Sequence, residues 1–176
     1  MERKIFNVGL PKTGTVSLDR FLFSHGFRTK HFVKFDDANT LSDIKKVISN
    51  FDFFSDCPFS LLTEWLFEEY PDAIFLCTCR EKQSWLKSVE NHMLKHKNMR
   101  SNIHRMYSFG SLRDFSPTLS SMCFELHNER IKLLQNKTDV LFIPVEIDNE
   151  QKARLVEEKL GLPNKEYHTL NVGTNK

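Results

Sequence analysis

The chain lacks the features that mark membrane-spanning, secreted and nucleic-acid-binding proteins. No apolar run approaches the roughly 18 residues that a membrane-spanning helix needs. Nothing at the amino terminus resembles a signal peptide, because the first apolar segment begins almost at Met1. The formal net charge of +2 is too small by itself to indicate a nucleic-acid partner. We therefore expect no membrane span and no nucleic-acid partner.

Cysteine is scarce, and its positions follow no disulfide framework. Two of the four cysteines, Cys77 and Cys79, alternate within one predicted strand and point the same way. Small buried thiols explain that pair better than a metal site does, so we predict no metal site. Unpaired cysteines favour a reducing, cytoplasmic compartment.

The length and the order of apolar segments predict one α/β domain. A chain of 176 residues, 40% of them hydrophobic, suffices for a single core, and we assign residues 1–176 to one domain. Predicted strands cover residues 5–8, 27–35, 51–54, 73–79 and 139–147. Predicted helices are one ending near Gly26, one following Pro58, and segments 41–49, 82–97, 117–135 and 151–160. This alternation predicts a three-layer sandwich with a central parallel sheet of about five strands and helices on both faces, similar to P-loop NTPases.

A glycine-containing loop joins the first predicted strand to the first predicted helix. Such a turn aims backbone N–H groups and the positive end of the helix dipole at one point, which makes it an anion cradle. Lys12 and the hydroxyls of Thr13, Thr15 and Ser17 add charge and donors. The two glycines keep the Walker A spacing, but the lysine precedes the second glycine by two residues, which disfavours ordinary nucleoside-triphosphate hydrolysis.

Three polar side chains follow three different predicted strands. Lys12 follows the first strand, Asp56 follows residues 51–54, and Arg80 follows residues 73–79. Ligands bind at the carboxyl ends of strands in open α/β sheets, so these side chains should line one crevice. Ser84 and Ser88 lie at four-residue steps after Arg80, and the three together suit a second phosphate at a helix start.

The motifs resemble those of sulfotransferases that use 3′-phosphoadenosine 5′-phosphosulfate (PAPS). The pattern Pro-Lys-Thr-Gly-Thr from Pro11 is similar to their 5′-phosphosulfate loop. Arg80 and Ser88 have the spacing of the motif that holds the 3′-phosphate. Asp56, in Ser-Asp-Cys-Pro, stands where cytosolic sulfotransferases have the catalytic histidine of Thr-His-x-Pro. The resemblance covers residues 4–93 well and the last strand and helix loosely.

The resemblance implies transfer of a sulfuryl group from PAPS to a hydroxyl or amine of a small-molecule or glycan acceptor, with 3′,5′-adenosine bisphosphate (PAP) as product. Lys12 would neutralise the leaving oxygen, and Asp56 would be the general base in an in-line displacement. The implied cofactor-binding residues are Pro11, Lys12, Thr13, Gly14, Thr15, Val16, Ser17, Arg80 and Ser88.

The chain also departs from the family pattern. Ser17 stands where many cytosolic members have a tryptophan that stacks on adenine, and the C-terminal Arg-Lys-Gly segment has no clear counterpart, although Asn171, Gly173 and Lys176 lie near its place. The chain is shorter than typical members, so a partner or a second copy could complete the acceptor pocket.

Several alternatives stay open at this point. The chain could be a P-loop phosphotransferase or small-molecule kinase, or a catalytically reduced nucleotide-binding protein. Asp56 could instead cap the helix after Pro58. Residues 92–113 carry many basic side chains and form either a lid or a solvated loop, and His92 is an alternative base.

Overall fold

Five parallel strands form the sheet around which the chain is built. The computed structural model describes residues 3–34, 38, 40–96, 109–110 and 114–165. The strands are β1 (Ile5–Asn7), β2 (Thr29–Lys30), β3 (Phe53–Phe54), β4 (Ile74–Cys79) and β5 (Val140–Pro144). The helices are α1 (Thr15–Ser24), α2 (Leu41–Asn50), α3 (Thr63–Glu69), α4 (Lys82–Lys95), α5 (Pro117–Gln135) and α6 (Asn149–Leu160).

The strand order places β1 in the middle of the sheet. The order is β2-β3-β1-β4-β5, and Ile5 of β1 is in register with Phe53 of β3 on one side and Ile74 of β4 on the other. From β1 the chain first builds β2 and β3 on one side and then crosses to β4. A change of direction of this kind opens a crevice at the carboxyl ends of the strands beside β1.

Alternating side chains of the short strands pack against helices on both faces of the sheet. Phe6, Phe54 and Phe75 point to one face, where fully buried residues of α2, α3 and α5 join them. Ile5 and Phe53, one position earlier in each strand, point to the other face, against α1 and α6. Burying one such phenylalanine contributes about 2–3 kcal/mol. The predicted three-layer α/β sandwich with a five-stranded parallel sheet is confirmed.

Several predicted elements are shorter than the sequence suggests, among them the second strand and the helix after Pro58. The second strand, predicted over residues 27–35, comprises only Thr29–Lys30, because it pairs with β3 and β3 itself has only two residues. The helix predicted directly after Pro58 begins at Thr63. Backbone bonds from Leu61 N to Pro58 O (2.9 Å) and from Ser60 N to Asp56 O (3.2 Å) make turns there instead.

The last strand, predicted over residues 139–147, is β5 at the edge of the sheet and comprises only Val140–Pro144. Pro144 suits this position, because proline in sheets is confined to edge strands and strand ends. None of the helices in the described ranges is long and apolar enough to cross a membrane. Most of the basic region 92–113 and the C-terminal positions Asn171, Gly173 and Lys176 lie outside the described residues.

Candidate active site

The loop after β1 lies directly against β4. A Cβ atom on Gly9 would come within 2.2 Å of the Thr78 carbonyl oxygen, so only glycine fits there. The buried Asn7 side chain bridges the two segments, because its Oδ1 accepts hydrogen bonds from Thr78 N (2.9 Å) and Gly9 N (3.3 Å). These contacts fix where the loop leaves the sheet.

A chain of buried side-chain hydrogen bonds continues from this point into the loop. Asn7 Nδ2 donates to Thr78 Oγ1 (3.0 Å), and Thr78 Oγ1 lies 2.8 Å from Thr13 Oγ1. Thr13 Oγ1 in turn donates to Leu10 O at 2.5 Å. In this order the Asn7 amide donates to Thr78, the Thr78 hydroxyl donates to Thr13, and the Thr13 hydroxyl donates to Leu10 O, so each hydroxyl donates one hydrogen bond. The resemblance implies that the Thr13 hydroxyl faces a phosphate. In the structure this hydroxyl instead donates its hydrogen bond to a carbonyl oxygen of the loop itself.

The two proposed catalytic residues share an uncommon backbone conformation. Lys12 has φ = 72° and Asp56 has φ = 66°, and no other non-glycine residue in the described ranges has a positive φ. This left-handed conformation is sparsely populated by non-glycine residues, although aspartate tolerates it better than most. Backbone strain of this kind concentrates at functional sites.

Two side chains hold the backbone of the loop in this conformation. Arg80, directly after β4, donates from Nη1 to Lys12 O (3.0 Å). Trp85 of α4 is fully buried and donates from Nε1 to Pro11 O (2.8 Å). Trp85 lies within the predicted helix 82–97, and nothing in the sequence indicated its hydrogen bond to the loop.

The region around Arg80 fits part of the predicted second phosphate site. Arg80 Nε is buried and has no hydrogen-bond partner within the described part of the chain. However, Glu81 caps α4, accepting from Gln83 N (2.8 Å) and Ser84 N (2.7 Å). The first N–H groups of α4 are therefore already bonded, and the argument for a phosphate here rests on Arg80 and on the half-buried Ser88 rather than on the helix end.

Asp56 lies in a largely buried position beside Lys12. Its side chain is 13% exposed, and Oδ1 accepts a hydrogen bond from Cys57 N (2.7 Å). Burial raises the pKa of Asp56 to about 6, against the lowering effects of the Cys57 N–H, the Lys12 charge and a hydrogen bond with the Thr15 hydroxyl. Because α3 begins only at Thr63, with Leu62 as its N-cap, Asp56 does not cap that helix.

The charged side chains that follow three of the strands lie close together, as the sequence predicts. Burial lowers the pKa of Lys12, and the positive charges of Arg80 and Lys95 lower it further, while the Asp56 carboxylate opposes the shift. Lys12, Asp56 and Arg80 are thus brought together at the carboxyl edge of the sheet. Lys95, the last residue of α4, also acts on Lys12, and the sequence did not place it in this group.

His31 is a further member of the site that the sequence analysis missed. Its Nε2 lies 3.5 Å from Asp56 Oδ2, and its Nδ1 lies 2.9 Å from Ser55 Oγ. A signal existed, because His31 directly follows β2, the strand beside β3, and the same carboxyl-end rule applies to it. The overlong predicted strand 27–35 concealed this position. The ring of His92, the alternative base, packs against the rings of His96 and Phe109, with centroid distances of 4.5 Å and 5.5 Å.

A small pocket lies on the other side of the loop, between α1 and the ends of β4 and β5. Ser17, only 8% exposed, belongs to its wall, and none of the described residues that line it is aromatic. We call it the Ser17 pocket. Its lining residues are Thr13, Gly14, Ser17, Thr78, Ile143, Val145 and Lys152.

The strand order and the loop between the central strand β1 and α1 define an α/β protein with a three-layer fold. The family model described as "Sulfotransferase domain" matches residues 4–151, so the chain belongs to the sulfotransferase family. A sulfotransferase structure from Alicyclobacillus acidocaldarius is similar over 99% of this chain and 87% of its own, with a TM-score of 0.65 and 18% identity, which shows a shared fold.

A curated relative is similar in sequence. The Ava biosynthesis cluster protein M of Aspergillus versicolor is 28% identical over 112 residues. The match covers 52% of this chain and 43% of that protein, so this chain accounts for less than half of the relative's length.

We predict that Asp56→Asn stabilises the fold at neutral pH. The pKa of Asp56 is about 6 in the folded state and 3.8 ordinarily, so the stability contributed by this carboxyl falls as pH rises through that window. Asparagine does not titrate, so the variant lacks this dependence of stability on pH. Its free energy of unfolding should exceed that of the wild type by up to about 3 kcal/mol above pH 6, and the two should be equal below about pH 4.

Urea denaturation across this pH range measures the effect. Asp72→Asn is the matched control, since Asp72 is exposed; it retains Asp56, so its free energy of unfolding should change with pH in the same way as that of the wild type. An Asp56→Asn variant that is less stable than the wild type at about pH 8 would contradict the prediction.

Proposed function

We propose that this member of the sulfotransferase family transfers a sulfuryl group from PAPS to a hydroxyl or amine, with Lys12 and Asp56 as catalytic residues. The observation that carries the proposal is the meeting of these two side chains beside Arg80. Each of them has a left-handed backbone, and their charges interact in a largely buried setting. The single-domain organisation of residues 1–176 and the cytoplasmic location stay predictions.

The start of α1 is suited to the 5′-phosphosulfate end of PAPS. Gly14, with φ = 96°, is its N-cap and offers no side chain to the first N–H groups. By contrast, α2, α4, α5 and α6 each begin with a side-chain cap. The N–H groups of residues 13–16 and the Lys12 ammonium would therefore hold the anion there, with Pro11 and Val16 shaping the loop.

The buried Nε of Arg80 indicates whether the site suits a sulfuryl donor that carries a 3′-phosphate. This nitrogen lacks a partner in the described structure, and leaving such a group unpaired costs about 1–3 kcal/mol or more. A phosphate oxygen would satisfy this donor with a charge-assisted bond. We infer that Arg80, with Ser88, holds the 3′-phosphate and so distinguishes PAPS from ATP.

The reaction needs a proton acceptor and a cation, and the site has both. PAPS would supply the sulfuryl group. When the acceptor's oxygen or nitrogen bonds to sulfur, the bond from sulfur to the phosphate oxygen would break, and its electron pair would stay on that oxygen. Lys12 would neutralise the charge there, and Asp56 would take the acceptor's proton. A pKa of about 6 makes Asp56 a stronger base than an ordinary aspartate, yet it is largely ionised at neutral pH.

One observation keeps a small-molecule kinase as the second candidate. The Thr15 hydroxyl, in the phosphate loop, is hydrogen-bonded to Asp56, which follows a neighbouring strand. P-loop phosphotransferases hold Mg²⁺ with a hydroxyl and a carboxylate of this kind. The displaced lysine and the family membership favour the sulfotransferase.

We predict that the protein binds PAP without metal and that Arg80→Met weakens this binding about 10- to 100-fold, because one charge-assisted phosphate contact is lost. Binding of 5′-AMP, which lacks the 3′-phosphate, should change less than about threefold. Isothermal titration calorimetry measures both. Arg20→Met, at an exposed position of α1, is the control and should bind PAP normally.

The AMP measurement separates two effects of this substitution. Arg80 also donates a hydrogen bond to the Lys12 carbonyl. Equal losses of affinity for PAP and AMP would therefore mean that the loop has changed its conformation and that Arg80 does not bind the 3′-phosphate. Tighter binding of ATP with Mg²⁺ than of PAP would overturn the sulfotransferase proposal in favour of the kinase.

We also predict that Asp56→Asn lowers turnover by at least about 100-fold while PAP affinity stays within about threefold, since general-base catalysis contributes factors of this size. PAP release from PAPS, in the presence of a panel of phenols, alcohols and amines, gives the rate. Turnover near the wild-type rate with intact PAP binding would refute the role of Asp56. Asp72→Asn serves as the matched control and should leave the rate unchanged.

A further inference from the structure

His31 has a polar partner on each side of its ring. Nδ1 lies 2.9 Å from the hydroxyl of Ser55, a residue with no exposed surface. Nε2 faces Asp56 Oδ2 at 3.5 Å. A shift of about 0.5 Å would bring that second contact to ordinary hydrogen-bond length, and such contacts are often long before substrate binds. The imidazole thus links a buried hydroxyl to the proposed base.

The charged groups around this pair determine where a proton can reside. The Lys12 ammonium faces both side chains, and the Thr15 hydroxyl and Cys57 N–H face Asp56. Burial and the Lys12 charge lower the pKa of His31 to about 4, below the pKa of about 6 for Asp56. A single proton shared by the pair therefore resides on Asp56, and His31 stays neutral at physiological pH.

Two of the partners of Asp56 other than His31 stabilise only its ionised state. The Cys57 N–H and the Lys12 ammonium are donors only, whereas the Thr15 hydroxyl can donate or accept. After Asp56 accepts a proton, its new O–H group needs an acceptor, and a buried hydroxyl without one costs about 1–3 kcal/mol. A neutral imidazole can be a donor in one tautomer and an acceptor in the other.

We propose that His31 is a positioning residue that serves Asp56 in both protonation states by changing tautomer, with Ser55 holding the ring in each. When Asp56 is ionised, Nε2–H donates to Oδ2 and Nδ1 accepts from the Ser55 hydroxyl. When Asp56 is protonated, Oδ2–H donates to Nε2 and Nδ1–H donates to Ser55 Oγ. The Ser55 hydroxyl fits both states because it can donate or accept. This inference rests on the proposed role of Asp56 as the base.

Nuclear magnetic resonance of the full chain tests the proposal without an acceptor. The ¹⁵N shifts of His31, assigned with His31→Gln, should report the Nε2–H tautomer at about pH 8 and the Nδ1–H tautomer at about pH 5. The change should follow the ¹³C titration of the Asp56 carboxyl, with a midpoint near its pKa. A tautomer that does not change with pH, or a ring that becomes doubly protonated near pH 6, would overturn the proposal.

Substitutions at His31 and Ser55 add a second readout that a purely structural role would not produce. His31→Leu removes both the donor to the ionised carboxylate and the acceptor for the protonated one, and we expect turnover to fall by about 10-fold or more with PAP affinity unchanged. His31→Gln retains a donor and an acceptor and should keep turnover within about threefold of the wild type. Ser55→Ala should leave one tautomer at all pH values. Equal turnover in the leucine and glutamine variants would contradict the proposal.

The outcome for His31 can be separated from the outcome for the proposed function. A tautomer change in wild-type protein, combined with normal turnover by Asp56→Asn, would support the His31–Asp56 pair and refute Asp56 as the base. An unchanging tautomer combined with a large loss of turnover in Asp56→Asn would refute the present inference alone.

Discussion

The close contact between Gly9 and Thr78 is the constraint on which the site depends. The loop can lie on β4 only because Gly9 has no side chain, and Asn7 then bonds to both segments. From that anchor, Arg80 and Trp85 hold the next carbonyl groups, and Lys12 is left in its left-handed conformation. The geometry of the loop thus comes from hydrogen bonds within the chain, buried and uncharged except for that of the Arg80 guanidinium.

The electrostatics of the site work against the stability of the fold. Asp56 is a carboxyl whose pKa is raised by burial, and Lys12 is an amine whose pKa is lowered by burial, so each charged form is disfavoured in the folded state. Arg80 adds a buried nitrogen, Nε, that has no hydrogen-bond partner among the described residues. Sites that must bind a charged ligand commonly keep such destabilising groups, because an anion or a transferred proton relieves them.

The sequence was sufficient for the sheet and for the meeting of Lys12, Asp56 and Arg80. Both follow from alternation of strands and helices and from the rule that the carboxyl ends of parallel strands share one edge. It was not sufficient for His31, because the length of β2 is decided by its partner β3 and not by its own apolar pattern. The bonds of Trp85 and Thr13 to the loop also depend on contacts between distant segments, which no local pattern encodes.

The Ser17 pocket combines a small side chain with a buried amine. A small side chain stands beside the phosphate loop, and the nearly buried Lys152 faces the same space from α6. The described part of the lining offers hydroxyl, amine and aliphatic groups.

The central claim is that Lys12, Asp56 and Arg80 converge on one adenosine donor with two phosphate groups. A crystal structure of the protein with PAP tests it most directly. The account predicts the 5′-phosphate on the N–H groups at the start of α1 beside Lys12, and the 3′-phosphate on the Arg80 guanidinium. A PAP molecule whose 3′-phosphate lies away from Arg80, or whose 5′-phosphate lies outside the loop, would contradict it.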